Sequence, residues 1–156
     1  MGDGAIAIRP FVEADRPFLL AVVARLWPGE TVGRRDEAAF QAANRRLAGG
    51  ETALPEGAEW FVATDAGGER LGALILFPER DFGSGRPRAY VSVLAVAASA
   101  EGRGVARALL AHAEEWARAR GYDEIALEHF STNTHAAAVY EHLGYRVDTV
   151  KRIKRL

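Results

Sequence analysis

The chain has 156 residues, 49% of them apolar, with 20 Lys and Arg against 21 Asp and Glu for a formal net charge of -1, and no cysteine. That length fits one domain over residues 1–156, large enough for a core without disulfide or metal staples. The missing cysteine excludes disulfide frameworks, Cys-ligated metal sites, CxxC redox centres and thiol nucleophiles. Balanced charge gives no global cationic field, so neither a nucleic-acid partner nor an anionic membrane is expected. No run approaches the ~18 apolar residues of a membrane span. The N-terminal stretch lacks the basic and unbroken apolar regions of a signal peptide, and a cytoplasmic location is expected.

Taken in chain order, Ala5 to Arg9 reads as a first strand bounded by Pro10. A helix follows, with Asp15 as its N-cap and Phe18, Val22 and Leu26 at helical spacing, until Pro28-Gly29 stops it. A second helix is predicted from about Asp36 through Phe40, Ala43 and Leu47 to Gly49-Gly50, then a polar loop over 51–58. Glu59 to Thr64 and Arg70 to Phe77 are apolar runs flanking Asp65-Ala66-Gly67-Gly68-Glu69, which predicts a β-hairpin. Pro78 to Pro87 is expected to be a charged loop. Arg88 to Val96 is nearly continuously apolar, as in a strand buried on both faces. A long helix from Val105 to Gly121, a strand over Tyr122 to Phe130 and a helix from Thr134 to Leu143 come next. Tyr145 to Leu156 is predicted as one bent strand or two short ones. This order implies an α/β fold with a mixed, predominantly antiparallel sheet flanked by helices.

Two segments carry chemistry. Val96 to Leu110 runs from a buried strand through a turn, with Gly102 and Gly104 spaced by one residue, into a helix. Such a junction directs backbone N–H groups outward at the positive end of the helix dipole, and the glycines leave room for a phosphate to reach them. The same glycines also satisfy a tight turn with no ligand. The spacing fits neither GxxxxGK[ST] nor GxGxxG, which removes nucleoside triphosphate and dinucleotide readings. In the second segment, Asn133 to Tyr145, the residues Ala136, Val139, Tyr140 and Leu143 form one apolar helix face. Tyr140 can pack its ring there while its hydroxyl reaches a cleft.

Together, in this order, the two segments resemble the Gcn5-related N-acetyltransferase (GNAT) family. The first is similar to its acyl-CoA pyrophosphate loop, [RQ]-x-x-G-x-[GA] after a strand ending in Val. The second is similar to its Asn-x-x-Ala-x-x-hydrophobic-Tyr-x-x-x-Gly-[Phe/Tyr] motif. The resemblance covers essentially the whole chain and implies acetyl-CoA as donor. It implies that Leu94, Ala95 and Val96 form the splayed end of the central strand and bond the pantetheine arm. It also implies that Gly102, Arg103, Gly104, Val105, Ala106 and Arg107 cradle the pyrophosphate, that Asn133 bonds the pantetheine or its neighbouring loop, and that Tyr140 protonates the departing thiolate. One position departs from the pattern: Glu101 stands where Arg or Gln is usual, beside the expected phosphates.

The implied reaction is direct attack of an amine on the thioester in a ternary complex, so no enzyme nucleophile is needed. An alkyl amine is mostly protonated at neutral pH, since its pKa is about 10.4, and a base must take that proton. Ser92 occupies the position where many members of the family carry a Glu, and cannot serve alone. Glu128 is the expected replacement, with His129 alternating to the opposite sheet face. A water chain is the alternative. His135 and His142, seven apart on one helix, miss the i, i+4 spacing that brings two imidazoles to one ion, and no metal is expected. His112 is expected to pack against the sheet. The basic tail, Lys151, Arg152, Lys154 and Arg155, reads either as a rim attracting anions or as a charge-blunted edge strand. Such a strand could also pair across a homodimer.

The resemblance implies that the segments 26–47 and 78–87 border the acceptor. Leu26 to Glu30 and Asp148-Thr149 are similar to parts of the aminoglycoside acetyltransferases, and Glu30, Asp36 and Glu128 would suit a cationic small-molecule amine. The rival readings are a noncatalytic acyl-CoA-binding or sensing module and acetylation of a protein amine.

Overall fold

The computed structural model describes residues 4–156. Five strands, β1 (Ala7–Pro10), β2 (Glu59–Thr64), β3 (Arg70–Arg80), β4 (Pro87–Val96) and β5 (Ile125–Leu127), form one sheet in that order. The first four run antiparallel, and β5 joins β4 in parallel after the crossover helix α3 (Val105–Ala119). Helices α1 (Arg16–Val23) and α2 (Glu37–Ala48) precede β2, and α4 (Thr134–His142) follows β5. The expected mixed, predominantly antiparallel α/β architecture is what forms.

Two apolar layers explain it. On one face Leu71, Leu74 and Leu76 of β3 pack with Leu109, Leu110, Ala113 and Trp116 of α3. On the other, Ala73 and Ile75 pack with Leu19, Val22 and Val23 of α1 and Ala48 of α2. Because β3 is apolar at both parities it must be covered twice, and helices on both faces satisfy it. His112 of α3 packs edge-on against Phe61 with ring centroids 4.4 Å apart. Its Nε2 is buried without a partner, and burial lowers the pKa of the ring.

Three expectations need correction and one needs refining. Asp15 stands at the N-cap of α1, but its side chain makes no cap bond to that helix. It is fully buried and accepts from Arg9, Arg70 and the Val12 N–H, a set of charge-assisted bonds that holds its carboxyl well below the usual carboxylate range. The first helix ends at Val23 and tightens into a 3-10 turn over Ala24–Leu26. The loop expected over 78–87 is shorter, because β3 runs on to Arg80 and β4 begins at Pro87, leaving 81–86 as the turn. Its charges pair across the ladder, with Arg88 on Glu79 at 2.8 Å and on Asp81 at 3.2 Å. Pro78 is tolerated there because β2, whose Glu59 pairs Leu76, does not extend far enough to need its missing N–H. Finally, the strand expected over 122–130 shrinks to Ile125–Leu127, and residues 145–156 form no strand. In that tail Val147, Val150, Ile153 and Leu156 recur every third residue and are all exposed, a spacing that cannot put apolar groups on one face of a period-two strand.

One irregularity sets up the site. Leu76 pairs Val91 but Ile75 pairs Val93, so Ser92 is a bulged residue on β4 with no partner opposite. Before it, Ala89 and Val91 face the α3 layer; after it, Val93 and Ala95 face the α1 layer.

Candidate active site

The bulge also rotates the backbone. Ala89 donates its N–H to Glu124 on the β5 side, and parallel pairing continues to Val91 opposite Leu127, where β5 ends. Beyond Ser92 the parity inverts, and Ala97 donates toward β3, to the Leu71 carbonyl, at 2.8 Å. Residues 93, 95 and 97 therefore bond β3, while the N–H and C=O groups of Leu94 and Val96 point into the gap left by β5. A strand edge opens there with donors and acceptors for an extended ligand.

At the end of that edge, Gly102 and Gly104 both take left-handed backbone conformations, with φ of 73° and 79°. A Cβ at either would touch nothing within 4 Å, so the turn demands glycine and the space above it is open. Gly104 is the N-cap of α3, and no side chain caps that helix. The N–H groups of Val105, Ala106 and Arg107 therefore occupy its first turn and lie beyond the helix's own hydrogen bonds. Gly72 makes the arrangement compact: a Cβ there would lie 2.8 Å from the Ala95 carbonyl and 2.9 Å from Val105. Arg103 approaches Asp65 at 3.9 Å. Glu101 turns to Arg25, which also donates to the Val96 carbonyl at 2.9 Å.

Asn133 is the N-cap of α4, accepting from the Ala136 N–H at 3.1 Å, which leaves its amide N–H groups as donors. Tyr140, about two turns further, packs against the α3 layer together with Leu94 and Val96. Burial raises its pKa, which keeps the phenol protonated across neutral pH. Its ring centroid lies 5.6 Å from His129 and 6.1 Å from Tyr145.

Glu128 follows directly on β5, and the register that pairs Ala126 with Tyr90 puts it on the Tyr90 face, opposite Tyr140. It is exposed, and after burial its charge is the largest influence raising the Tyr90 pKa. Ser92 is exposed between the two faces. The structure thus brings Leu94, Val96, the Gly102–Arg107 turn and Tyr140 to one gap, with Glu128 and Ser92 at its rim.

The acceptor side departs from expectation. A hollow of about 640 Å³ is lined by Trp27, Glu30, Asp36, Arg34, Arg35 and Arg155, among others, and is not chiefly acidic. Asp36 spends a carboxylate oxygen on the Ala39 N–H at 3.0 Å as the cap of α2. Sequence reasoning missed Arg25, whose partners lie 71 and 76 residues away, and missed this arginine group, whose members are split between two chain segments.

Comparisons with known proteins agree with this geometry. The acetyltransferase (GNAT) family pattern matches residues 20–145. Mycothiol acetyltransferase from Beutenbergia cavernae is 32% identical over 145 residues, 91% of this chain and 46% of that protein. N-acetyltransferase 8F1 from Rattus norvegicus is 28% identical over 55% of this chain and 39% of its own length. The chain therefore spans less than half the length of these curated relatives. Among solved structures, an acetyl transferase from Pyrococcus furiosus superposes with a TM-score of 0.78 at 24% identity, covering 97% of this chain and all of that one. Aminoglycoside N-acetyltransferase AAC(6')-Iy in complex with CoA does so at 0.70 and 21%, covering 100% of this chain and 97% of its own. With its family pattern spanning most of the sequence and both motif segments meeting at one strand gap, the chain belongs to the GNAT acetyltransferase family.

Proposed function

We propose that this chain, as a single domain over residues 1–156, is an acetyl-CoA-dependent N-acetyltransferase. It moves acetyl directly to the primary amine of a small molecule in a ternary complex, and the expected cytoplasmic setting belongs to the same reading. The observation that carries it is the one-sided edge of β4 beyond Ser92, ending at the uncapped start of α3. An extended arm fits along Leu94 and Val96, and a diphosphate fits over Gly102 and Gly104, where nothing fills the space a side chain would take.

In this reading each residue has a bounded task. The Leu94 and Val96 backbone orients the donor, and a gap-facing N–H offers charge stabilisation to the thioester oxygen. Val105, Ala106 and Arg107 supply first-turn N–H groups to the diphosphate, with the Arg103 and Arg107 side chains adding charge. Asn133 donates to the donor arm. Tyr140, a phenol whose pKa burial raises further above neutrality, hands its proton to the leaving sulfur from one sheet face. Glu128 accepts the amine proton from the other, directly or through water held at Ser92. The relatives named for mycothiol and aminoglycoside acetylation favour a small-molecule amine. The exposed apolar residues of the tail, Val147 and Val150 among them, favour a homodimer in which each copy covers the other's tail, which light scattering would reveal.

The test is release of the CoA thiol across a panel of amines, together with melting temperature in acetyl-CoA. Turnover with a small amine is expected. The Glu128→Gln variant should lose activity most steeply toward low pH, where wild-type amine is hardest to deprotonate. Stabilisation by acetyl-CoA without any turnover would instead establish a sensing module, the reading favoured by Ser92 and Glu101.

A further inference from the structure

Nine of the 18 arginines pair with carboxylates, Arg103 and Arg118 among them. Arg9 and Arg70 bind Asp15, Arg16 binds Glu13, Arg25 binds Glu101, Arg86 binds Asp123, Arg88 binds Glu79, and Arg120 binds Glu59. Of the nine without a carboxylate partner among the described residues, Arg34, Arg35 and Arg155 are brought together, lining the same 640 Å³ hollow.

Their placement is built. The Arg35 guanidinium lies 4.9 Å from the centre of the Phe130 ring, and Phe130 is packed on Phe40, itself packed on Trp27. Gly33 is buried beneath it, where a Cβ would stand 2.8 Å from Arg35 Nη1. Arg155 is drawn in from the C-terminal tail by a 3.3 Å bond to the Val32 carbonyl. Thr132 donates to the Glu30 carbonyl at 2.6 Å, tying this loop to the segment between Glu128 and the Asn133 cap. The hollow is therefore joined to the segment that runs from Glu128 to the Asn133 cap. Among the described residues Glu30 and Asp36 are the carboxylates that line it, and Asp36 is occupied as a helix cap. Guanidinium forks held by a ring and by backbone match the planar, bidentate geometry of carboxylate or phosphate oxygens.

We infer that the hollow formed by Arg34, Arg35 and Arg155 binds an anionic group on the acceptor, so that the preferred substrate is an acidic amine, not a polyamine. This rests on the reading of the gap as an amine-acetylating site. It names the substrate class for that site, a primary amine bearing a carboxylate or phosphate a few bonds away.

Two measurements separate the inference from the reading beneath it. Thiol release is compared for matched pairs: ω-amino acids against their amides, and glucosamine 6-phosphate against glucosamine, with spermidine alongside. Binding of the same compounds is followed in parallel by melting temperature in the presence of CoA. The acidic member of at least one pair should exceed its uncharged counterpart at least 10-fold in kcat/KM, with the advantage shrinking as salt rises. The winning pair distinguishes carboxylate from phosphate. Arg34→Gln, Arg35→Gln and Arg155→Gln should each raise KM for that compound about 10-fold, with a smaller change for its counterpart, and Arg34→Lys should recover part of the loss. Arginine-dependent binding without turnover would support the hollow while sinking the transferase reading. Equal use of acidic and uncharged members, a preference for spermidine, or binding indifferent to all three substitutions would overturn the inference whether or not acetyl transfer occurs.

Discussion

The two regions proposed to meet anions present positive charge in different ways. At the turn into α3 the charge is main-chain: uncapped N–H groups above Gly102 and Gly104, while the nearby Arg103 and Arg25 lean on Asp65 and Glu101. Across the gap, around Trp27, it is side-chain: Arg34, Arg35 and Arg155 have no carboxylate partner among the described residues. Backbone donors are fixed by the fold and indifferent to most substitutions, which suits a donor that never changes. Arginines can be exchanged one by one, which suits an acceptor that defines the individual enzyme.

The sharpest test of this division removes the chemistry and leaves both anion sites. Tyr140→Phe should lower kcat about 100-fold or more, the range of a lost general acid, with little change in KM for acetyl-CoA. A loss below threefold would take Tyr140 out of the reaction. Next in size, Asp15 shows what committed arginines are worth. Asp15→Asn weakens four charge-assisted bonds in a buried position and should cost about 2–4 kcal/mol, less than a fully buried pair because both arginines are partly exposed. Since folding lowers this pKa below the unfolded value of about 3.9, its contribution is complete above about pH 5 and is lost as the pH falls through 4 and below. Wild-type and variant melting curves should therefore converge in acid and stay apart at neutrality.

A smaller effect is expected from Gly104→Ala. A side chain in the left-handed region costs about 1 kcal/mol, and its methyl group enters the space proposed for the diphosphate. KM for acetyl-CoA should rise about 10-fold while acceptor preference is kept. Smallest of all, Glu101→Gln should lower that KM about two- to fivefold at low salt by removing a like charge and freeing Arg25, and the gain should vanish as salt is added. If acceptor KM moved instead, the two regions would not be separable.

Local signals in the sequence were readable to the extent that chemistry is local. The Gly102 and Gly104 turn and the helix begun at Thr134 each lie within one short segment, and each forms where the pattern places it. The hairpin of β2 and β3 and the buried strand β4 were legible for the same reason, since each carries its own apolar run. What pairing decides was not legible. Asp15 stands at a helix start and reads as a cap, yet Arg70, 55 residues on, claims it. The charges of 78–87 read as a loop until β3 and β4 place Glu79 opposite Arg88. The tail looked like strand because it mixes Val and Ile with basic residues, but its period of three fits no sheet face.

The Ser92 bulge has an implication for how this chain can change. A single residue deleted there would invert everything downstream on β4: Val93 and Ala95 would leave the α1 layer, and the peptide groups of Leu94 and Val96 would turn from the gap into the ladder with β3. Core packing and ligand edge hang on one count of residues, so neither can drift without the other. Variation in this protein is consequently channelled outward, to the loop around Arg34 and the tail carrying Arg155, where a change of partner costs the sheet nothing.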